Sequence, residues 1–268
     1  MASVTTPWTI PANPPGAKLP DHRDLPCTDG SIVENFQEFP QGRLLTGAIE
    51  PILRELHPDG HYAVGNDSGI YFKITDPPLA GCRSPDWCYI PNVPALAADG
   101  TVRRSYVMWQ EHQIPQVLVE YVSGNGSEER DQTPDTGKFW IYERAIRAPY
   151  YVILDHFRYT LEAYELRGGV YRSMQPNAHG HFPLPPLGVA IGPWQGQFGN
   201  IRGYWARFYD LQGRLLLTGE ELAEKERIRA EQERSRAEQE SRRANTAELE
   251  NVKLRERLRQ TGLDPNAL

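Results

Sequence analysis

Two acidic residues interrupt apolar segments of this sequence that are predicted to be strands. Glu120 lies in the middle of QVLVEYVS, and Asp86 directly precedes the apolar stretch of SPDWCYIP. A charge in a buried strand is unfavourable unless something compensates it. Neighbouring strands of a sheet bring such residues side by side on one face. Two carboxylates at that distance repel, so one stays protonated unless a cation lies between them.

Two interpretations of these acids are open from the residues alone. In the first, Asp86 and Glu120 hold a divalent cation, because Mg²⁺ takes one or two protein carboxylates together with water and phosphate oxygens. Such a site outlines phosphodiester cleavage, since a bound metal polarises the phosphoryl oxygen and lowers the pKa of a water. In the second, each acid belongs to a structural ion pair with an Arg or Lys.

Lys138 is the candidate for a cation or base beside the attacking water. It lies in the first turn of the helix predicted over residues 135–147, where the helix dipole disfavours a positive charge. Tyr142 follows one turn later on the same face.

The elements that must position these residues are strands interspersed with few helices. Residues 31–56 are predicted to be helical with interruptions at Pro40 and Gly42, and residues 160–174 to form a hairpin around Gly168 and Gly169. The segments predicted as further strands are HYAVGN, GIYFKI, DWCYIP, RSYVMW, QVLVEYVS and YYVILD. This order predicts an α/β fold, with a central mixed β-sheet flanked by helices.

Composition changes near residue 219, which divides the chain into three predicted segments. Residues 1–24 form a proline-rich extended arm, 25–218 the α/β domain, and 219–268 a charged helical tail. In the tail Ala recurs every seventh residue from Ala223 to Ala244, and Leu254 and Leu258 continue this heptad pattern. A solvated, ion-paired single helix and a coiled-coil homo-oligomer both fit this pattern, because alanine buries little area.

Composition also bounds the location and partners of the protein. There is no long apolar run, so no membrane-spanning helix is expected. Three cysteines without zinc-like spacing indicate free thiols in a reducing cytoplasm. The formal net charge of −6 gives no general attraction for nucleic acid, so any DNA contact requires a local basic patch.

An ordered series of segments, from about residue 25 to the C-terminus, resembles the Uma2 family of restriction-endonuclease-like proteins. That family is similar to the PD-(D/E)XK nuclease superfamily, which has a central mixed sheet flanked by helices. The segments that carry the resemblance are DLPCTDGSIVE, GNDSGIYFKI, RSPDWCYIPNVP, RRSYVMWQEHQIPQVLVEYVS, DTGKFWIYERAIRAPYYVILD, LEAYELRGGVYRSM and the RAEQE-rich tail.

The resemblance implies a set of site residues. Asp86 is the acid of the PD pair and Glu120 the second acid, both as metal ligands, with the backbone carbonyl of Tyr121 completing the shell. The superfamily places a lysine two residues after the second acid, but here that position is Val122, and Lys138 from the next helix takes its role. The resemblance further implies an acid from the first helix. Glu34 is the candidate for this acid, and Glu38 is the runner-up.

Two classes of function follow. The first is a Mg²⁺-dependent DNA endonuclease, with Mn²⁺ as an alternative ion, in which Lys138 assists the attacking water. The second is a catalytically silent nucleic-acid-binding or coiled-coil interaction protein that keeps the nuclease fold. Val122 at the usual lysine position favours the second class, whereas Lys138 favours the first.

Overall fold

The computed structural model describes residues 19–21, 23–25 and 36–260. The chain divides into two compact units, Met1–Leu216 and Leu217–Leu268. The predicted limits of the three segments, at residues 24 and 218, remain predictions.

Helices and strands are numbered in chain order. The helices are α1 (Glu38–Leu56), α2 (Met108–Glu111), α3 (Lys138–Trp140), which continues as a π-helix over Ile141–Ile146, and α4 (Gly219–Gln260). The strands are β1 (Tyr62–Gly65), β2 (Ile70–Tyr71), β3 (Cys82–Arg83), β4 (Trp87–Pro91), β5 (Tyr106–Val107), β6 (Val117–Tyr121), β7 (Tyr150–Asp155), β8 (Thr160–Arg167), β9 (Val170–Ser173), β10 (Phe182–Leu184), β11 (Val189–Phe198) and β12 (Ile201–Tyr209).

A six-stranded sheet with the order β1-β4-β6-β7-β8-β9 forms the centre of the first unit. β6 and β7 run parallel, and the other neighbouring pairs are antiparallel, so the sheet is mixed. β6 and β7 are buried along their whole length, as expected for central strands covered on both faces. The predicted class is confirmed: an α/β fold with a mixed sheet flanked by helices and a long C-terminal helix.

The alternation of side chains along β6 separates two hydrophobic cores. Val117, Val119 and Tyr121 face a core that includes residues of α1 and of the sheet β10-β11-β12. Leu118 and Val122 belong to the opposite core, together with α3 and the π-helix. Glu120 lies between these two residues in the chain and on the same face of the strand, so it faces the helix that begins at Lys138.

Helix α1 continues through the two residues that were predicted to interrupt it. Pro40 lies in its first turn, where the missing N–H has no helical acceptor in any case. Gly42 is buried against Asn66, whose Oδ1 would lie 2.3 Å from a Cβ at this position. Gly42 therefore serves close packing within the helix.

The second unit is dominated by α4. Thr218 caps this helix reciprocally with Glu221: the Glu221 N–H donates to Thr218 Oγ1 at 3.2 Å, and the Thr218 N–H donates to Glu221 Oε2 at 2.8 Å. Two ion pairs lie on the exposed surface of α4, and in each the partners are one helical turn apart: Arg229–Glu233 and Arg234–Glu238. Within residues 19–21, 23–25 and 36–260, no helix has the length and apolar character needed to cross a bilayer.

Candidate active site

Glu120 lies near the end of β6 and is almost completely buried, with 1% of its surface exposed. Its neighbours Leu118 and Val122 fill the same face of the sheet with aliphatic side chains. The apolar surroundings remove water from the carboxylate, so its two oxygens need partners from the protein.

The register of the sheet brings Asp86 next to Glu120. β4 pairs antiparallel with β6, with Trp87 opposite Val119, and the next position places Asp86 opposite Glu120. The two carboxyl groups share a hydrogen bond, and the Tyr121 N–H donates to Asp86 Oδ2. The expectation that the two acids lie side by side is therefore met by the geometry of neighbouring strands.

Both oxygens of Glu120 are contacted from the covering helix. Lys138 Nζ lies 3.1 Å from Glu120 Oε2, and the Tyr142 hydroxyl donates to Glu120 Oε1 within the buried core. Lys138 and Tyr142 are four residues apart, so one helical turn presents an ammonium and a phenol to the same carboxylate. Lys138 Nζ also lies 3.2 Å from the largely exposed Glu128.

Burial and mutual repulsion govern ionisation at the site. The pKa of Asp86 is raised well above its usual range, first by burial and then by the charge of Glu120. Burial also raises the pKa of Glu120, although Lys138 and the Tyr142 hydroxyl oppose this. For Lys138 burial acts to lower the pKa, but the charges of Glu120, Glu128 and Asp86 outweigh it and raise the pKa. Without a further cation, the paired acids hold a proton and Lys138 remains an ammonium.

Val122 is a core residue beside the acids. It lies on the same face as Glu120, two residues later, and is fully buried against the core that contains Tyr142. The position at which the resemblance led us to expect a lysine is therefore part of the packing beneath the helix. Lys138 reaches the Glu120 carboxylate from the helix that covers this face of the sheet.

The two candidates for an acid from the first helix have different outcomes. Glu34 lies outside the described residues. Glu38, in the first turn of α1, hydrogen-bonds the Asp86 carboxyl and helps to raise its pKa. Among the described residues, the runner-up Glu38 is an acid of the first helix that contacts the site, and the assignment of Glu34 remains a prediction.

A shallow cleft beside the acids includes residues that sequence reasoning missed. Its lining residues are Gln37, Glu38, Gln41, Tyr121, Leu154 and His156. His156 directly follows β7, and burial lowers its pKa, so the imidazole is neutral at pH 7. The only sequence signal was its place just after a buried strand, which becomes informative once β7 is known to run parallel beside β6.

The donor set limits the kind of metal that the site suits. Among the described residues, no cluster of three or more His, Cys, Asp or Glu side chains is arranged to hold a metal. Asp86 and Glu120 supply two carboxylates, which are hard oxygen ligands. Carboxylate oxygens suit a hard divalent cation such as Mg²⁺ or Mn²⁺ better than zinc, for which thiolate and imidazole ligands are common.

Glu120 of β6, Asp86 directly before β4 and Lys138 of α3 meet at one face of the mixed sheet, which is the arrangement expected of the restriction-endonuclease-like class. The model of the Uma2 family, described as "Putative restriction endonuclease", matches residues 24–195. Because this match spans more than half of the chain, the protein belongs to the Uma2 family.

Solved structures were compared with the chain as well. The chain is similar to "a putative nuclease belonging to DUF820 from Anabaena variabilis ATCC 29413", with 13% sequence identity and a TM-score of 0.39. The alignment covers 63% of this chain and 91% of that chain. No curated protein matches the chain.

Proposed function

We propose that this protein is a metal-dependent DNA endonuclease that hydrolyses phosphodiester bonds. The observation that carries the proposal is the convergence of Asp86, Glu120 and Lys138, which come from two strands and a helix that are distant in sequence. Membership of the Uma2 family supports the same reaction class.

Asp86 and Glu120 would hold the cation, with the backbone carbonyl of Tyr121 as a third oxygen ligand. Mg²⁺ suits this set because it keeps several waters and needs only one or two protein carboxylates, and Mn²⁺ shares the preference for oxygen. When bound, the cation polarises the phosphoryl oxygen and lowers the pKa of a water. The proton that the two acids share would leave as the cation enters.

Lys138 acts as a fixed positive charge rather than as a base. Its pKa is raised, so it holds its proton at neutral pH and donates hydrogen bonds. An ammonium at this place orients the attacking water and stabilises negative charge that develops on the phosphate. Glu38, through its contact with Asp86, takes the role of the first-helix acid. The assignment of Glu34 to that role stays a prediction.

The alternative is a catalytically silent protein that binds nucleic acid or a partner. The Glu120–Lys138 contact is also what a purely structural ion pair would show. The net charge of −6 counts against strong DNA affinity, because phosphate contacts dominate that affinity. Catalysis therefore has to be tested directly.

The test is nicking of supercoiled plasmid in the presence of Mg²⁺ or Mn²⁺. We expect nicking by the wild type, loss of nicking in Glu120→Ala and Lys138→Ala, and no activity in EDTA. Glu165→Ala is the matched control, because Glu165 is a strand carboxylate of the same sheet that pairs with Arg167 instead of the site. Equal nicking by wild type and both site variants would contradict the proposal.

We also propose that α4 carries a homo-oligomer contact and that the protein works in the cytoplasm. Leu249, Val252 and Leu254 are exposed large apolar side chains on α4 and are available for a partner helix. Cys88 is a buried free thiol, in keeping with a reducing compartment. Sedimentation of the full chain and of a variant lacking residues 219–268 tests the oligomer, and an unchanged association state would remove it.

A further inference from the structure

Four large aromatic side chains, here called the aromatic rim, are exposed near the cleft. The exposed fractions are 97% for Phe36, 73% for Phe39, 56% for Phe157 and 62% for Tyr159. Single exposed apolar residues are ordinary on a protein surface, but several of them around one cleft mark a binding surface.

The aromatic rim comes from two segments, residues 36–39 and residues 157–159, and both lie at the same cleft. Gln37 and Glu38, between Phe36 and Phe39, line the cleft together with His156. The rings of His156 and Phe157 lie 4.0 Å apart. The Tyr159 ring lies 5.5 Å from the ring of Tyr204, whose carbonyl accepts a 2.6 Å hydrogen bond from Gln37 Nε2.

The turn after β7 does not require aromatic side chains at Phe157 and Tyr159. The turn after β7 is held by Asp155 Oδ1, which accepts the N–H groups of Phe157 at 3.1 Å and Arg158 at 2.9 Å. Tyr159 has a φ of 57°, a left-handed conformation that favours Gly, Asn or Asp over a bulky side chain. A tyrosine at such a position works against the local backbone preference, which points to a role outside the turn.

Positive charge accompanies the aromatic rim. Arg158 lies between Phe157 and Tyr159; one of its nitrogens pairs with the buried Asp155 carboxylate at 3.1 Å, and 60% of its side chain is exposed. Arg43 follows Phe39 by one helical turn, and its guanidinium lies 5.6 Å from the Phe198 ring. Exposed aromatic rings combined with arginines are the features that bind single-stranded nucleic acid, because bases stack on the rings and phosphates pair with the cations.

We propose that the aromatic rim binds unpaired nucleobases, so that the substrate is single-stranded nucleic acid or an unpaired segment of a duplex. This inference rests on the proposed function for its biological setting, because Glu38, which contacts Asp86, lines the cleft that the aromatic rim surrounds. A continuous duplex offers only base edges in its grooves, and its base faces are stacked inside. The rings therefore distinguish unpaired bases from paired bases and do not read the base sequence.

The first experiment measures binding without cleavage, by fluorescence anisotropy in EDTA. The probes are a short labelled DNA strand, the RNA strand of the same sequence, the matched duplex, and an abasic strand that has the same phosphates without bases. We expect the wild type to bind a single strand at least roughly tenfold more tightly than the abasic strand, since each stacked base contributes severalfold. Comparison of the affinities for the DNA strand and the RNA strand shows which of the two nucleic acids binds more tightly.

Substitutions assign this preference to the rings. Phe39→Ala and Phe157→Ala should each weaken binding of the single strand by roughly fivefold or more and leave abasic binding unchanged. Phe39→Tyr and Phe157→Tyr should retain the affinity, because they keep a stacking face. Leu211→Ala is the control: Leu211 is an exposed apolar residue seven positions along the chain from Tyr204, in the turn that follows β12.

Several results would overturn the inference. These are absence of binding to any probe, equal affinity for the abasic strand, or ring variants that bind as the wild type does. A lower sedimentation mass in the Phe39→Ala and Phe157→Ala variants would instead assign the rings to a contact between copies of the chain. The two proposals fail separately: plasmid nicking with unchanged ring variants removes only the aromatic rim, and base-dependent binding without nicking removes only catalysis.

Discussion

Glutamates paired with basic residues occur in two very different settings in this molecule. In the first unit, Glu120 is buried and meets Lys138, of which 17% is exposed, at 3.1 Å. In the second unit, α4 carries pairs such as Arg234–Glu238, also at 3.1 Å, in which both side chains are largely exposed. The distances are the same, but the surroundings differ.

The difference shows that the environment, and not the contact distance, decides what an ion pair does. Exposed pairs on a helix contribute a few tenths of a kcal/mol and are screened by salt. A buried pair loses the hydration of both charges, and removing one partner leaves the other uncompensated. The α4 pairs therefore support a solvated helix, whereas the Glu120 cluster is an unfavourable arrangement that a function must explain.

Removing the lysine charge should have the largest effect. Lys138→Met keeps most of the volume but leaves Glu120 without its cation, so we expect a loss of about 3 kcal/mol of unfolding free energy at neutral pH. The loss should shrink on acidification, because Glu120 can then take up a proton. Urea unfolding at two pH values measures this. If the Lys138→Met variant were as stable as the wild type at neutral pH, the Glu120–Lys138 pair would contribute as little as the exposed pairs of α4, and the prediction would be wrong.

Removing the phenol should have a smaller effect that depends on the acceptor. Tyr142→Phe deletes a buried hydrogen bond to a carboxylate, for which we expect about 1.5–2 kcal/mol. Tyr171→Phe is the matched control, because the buried Tyr171 hydroxyl donates only to the carbonyls of Tyr142 and Ala148. It should lose about 1 kcal/mol. The reverse order of the two losses would contradict a charged acceptor at Glu120.

Neutralising Asp86 should stabilise the metal-free protein. Because folding raises the pKa of Asp86, its ionisation opposes folding: stability is highest below the unfolded-state pKa and falls as pH rises through the folded-state pKa. Asp86→Asn keeps an acceptor for the Tyr121 N–H and removes that charge. We expect a gain of about 1 kcal/mol at pH 7 by thermal unfolding in EDTA. A loss at pH 7, or a gain that grows toward acid pH, would refute the assignment.

Breaking an exposed pair should have the smallest effect. Arg234→Ala removes the contact with Glu238, and we expect no more than about 0.5 kcal/mol, because both side chains are hydrated. Circular dichroism of the full chain on heating, at low and high salt, follows the change. Any difference should disappear at high salt. A loss above about 1 kcal/mol would mean that the α4 pairs are not simply solvated.

The sequence was sufficient for the fold class and for the two charged residues that meet beneath the helix, but not for β10, β11 or α2. A single acid in an otherwise apolar strand marked Glu120, and a lysine in the unfavourable first turn of a helix marked Lys138. Both signals work because a misplaced charge requires a partner. The position of Asp86 just before another apolar strand paired it with Glu120, and the sheet register explains that pairing.

The remaining parts of the site depend on tertiary geometry. The choice between Glu34 and Glu38 depends on where the first helix meets the strand ends, and the contact of Glu38 with Asp86 is a long-range one. His156 joins the cleft because β7 lies parallel beside β6, and a local pattern does not reveal which strands are neighbours. The contact of the Tyr142 hydroxyl with Glu120 likewise needs the helix to be docked on the sheet.

The central claim is that Asp86 and Glu120 share one divalent cation, and Mn²⁺ binding tests it most directly. Titration followed by electron paramagnetic resonance and by calorimetry, in buffers of different ionisation enthalpy, gives both stoichiometry and proton release. We expect the wild type to bind one Mn²⁺ per chain, to release protons on binding, and to bind more tightly as the pH rises. The Asp86→Ala and Glu120→Ala variants should lose this binding, whereas the Glu165→Ala variant should retain it. Absence of binding by the wild type, or binding that persists in both site variants, would contradict it.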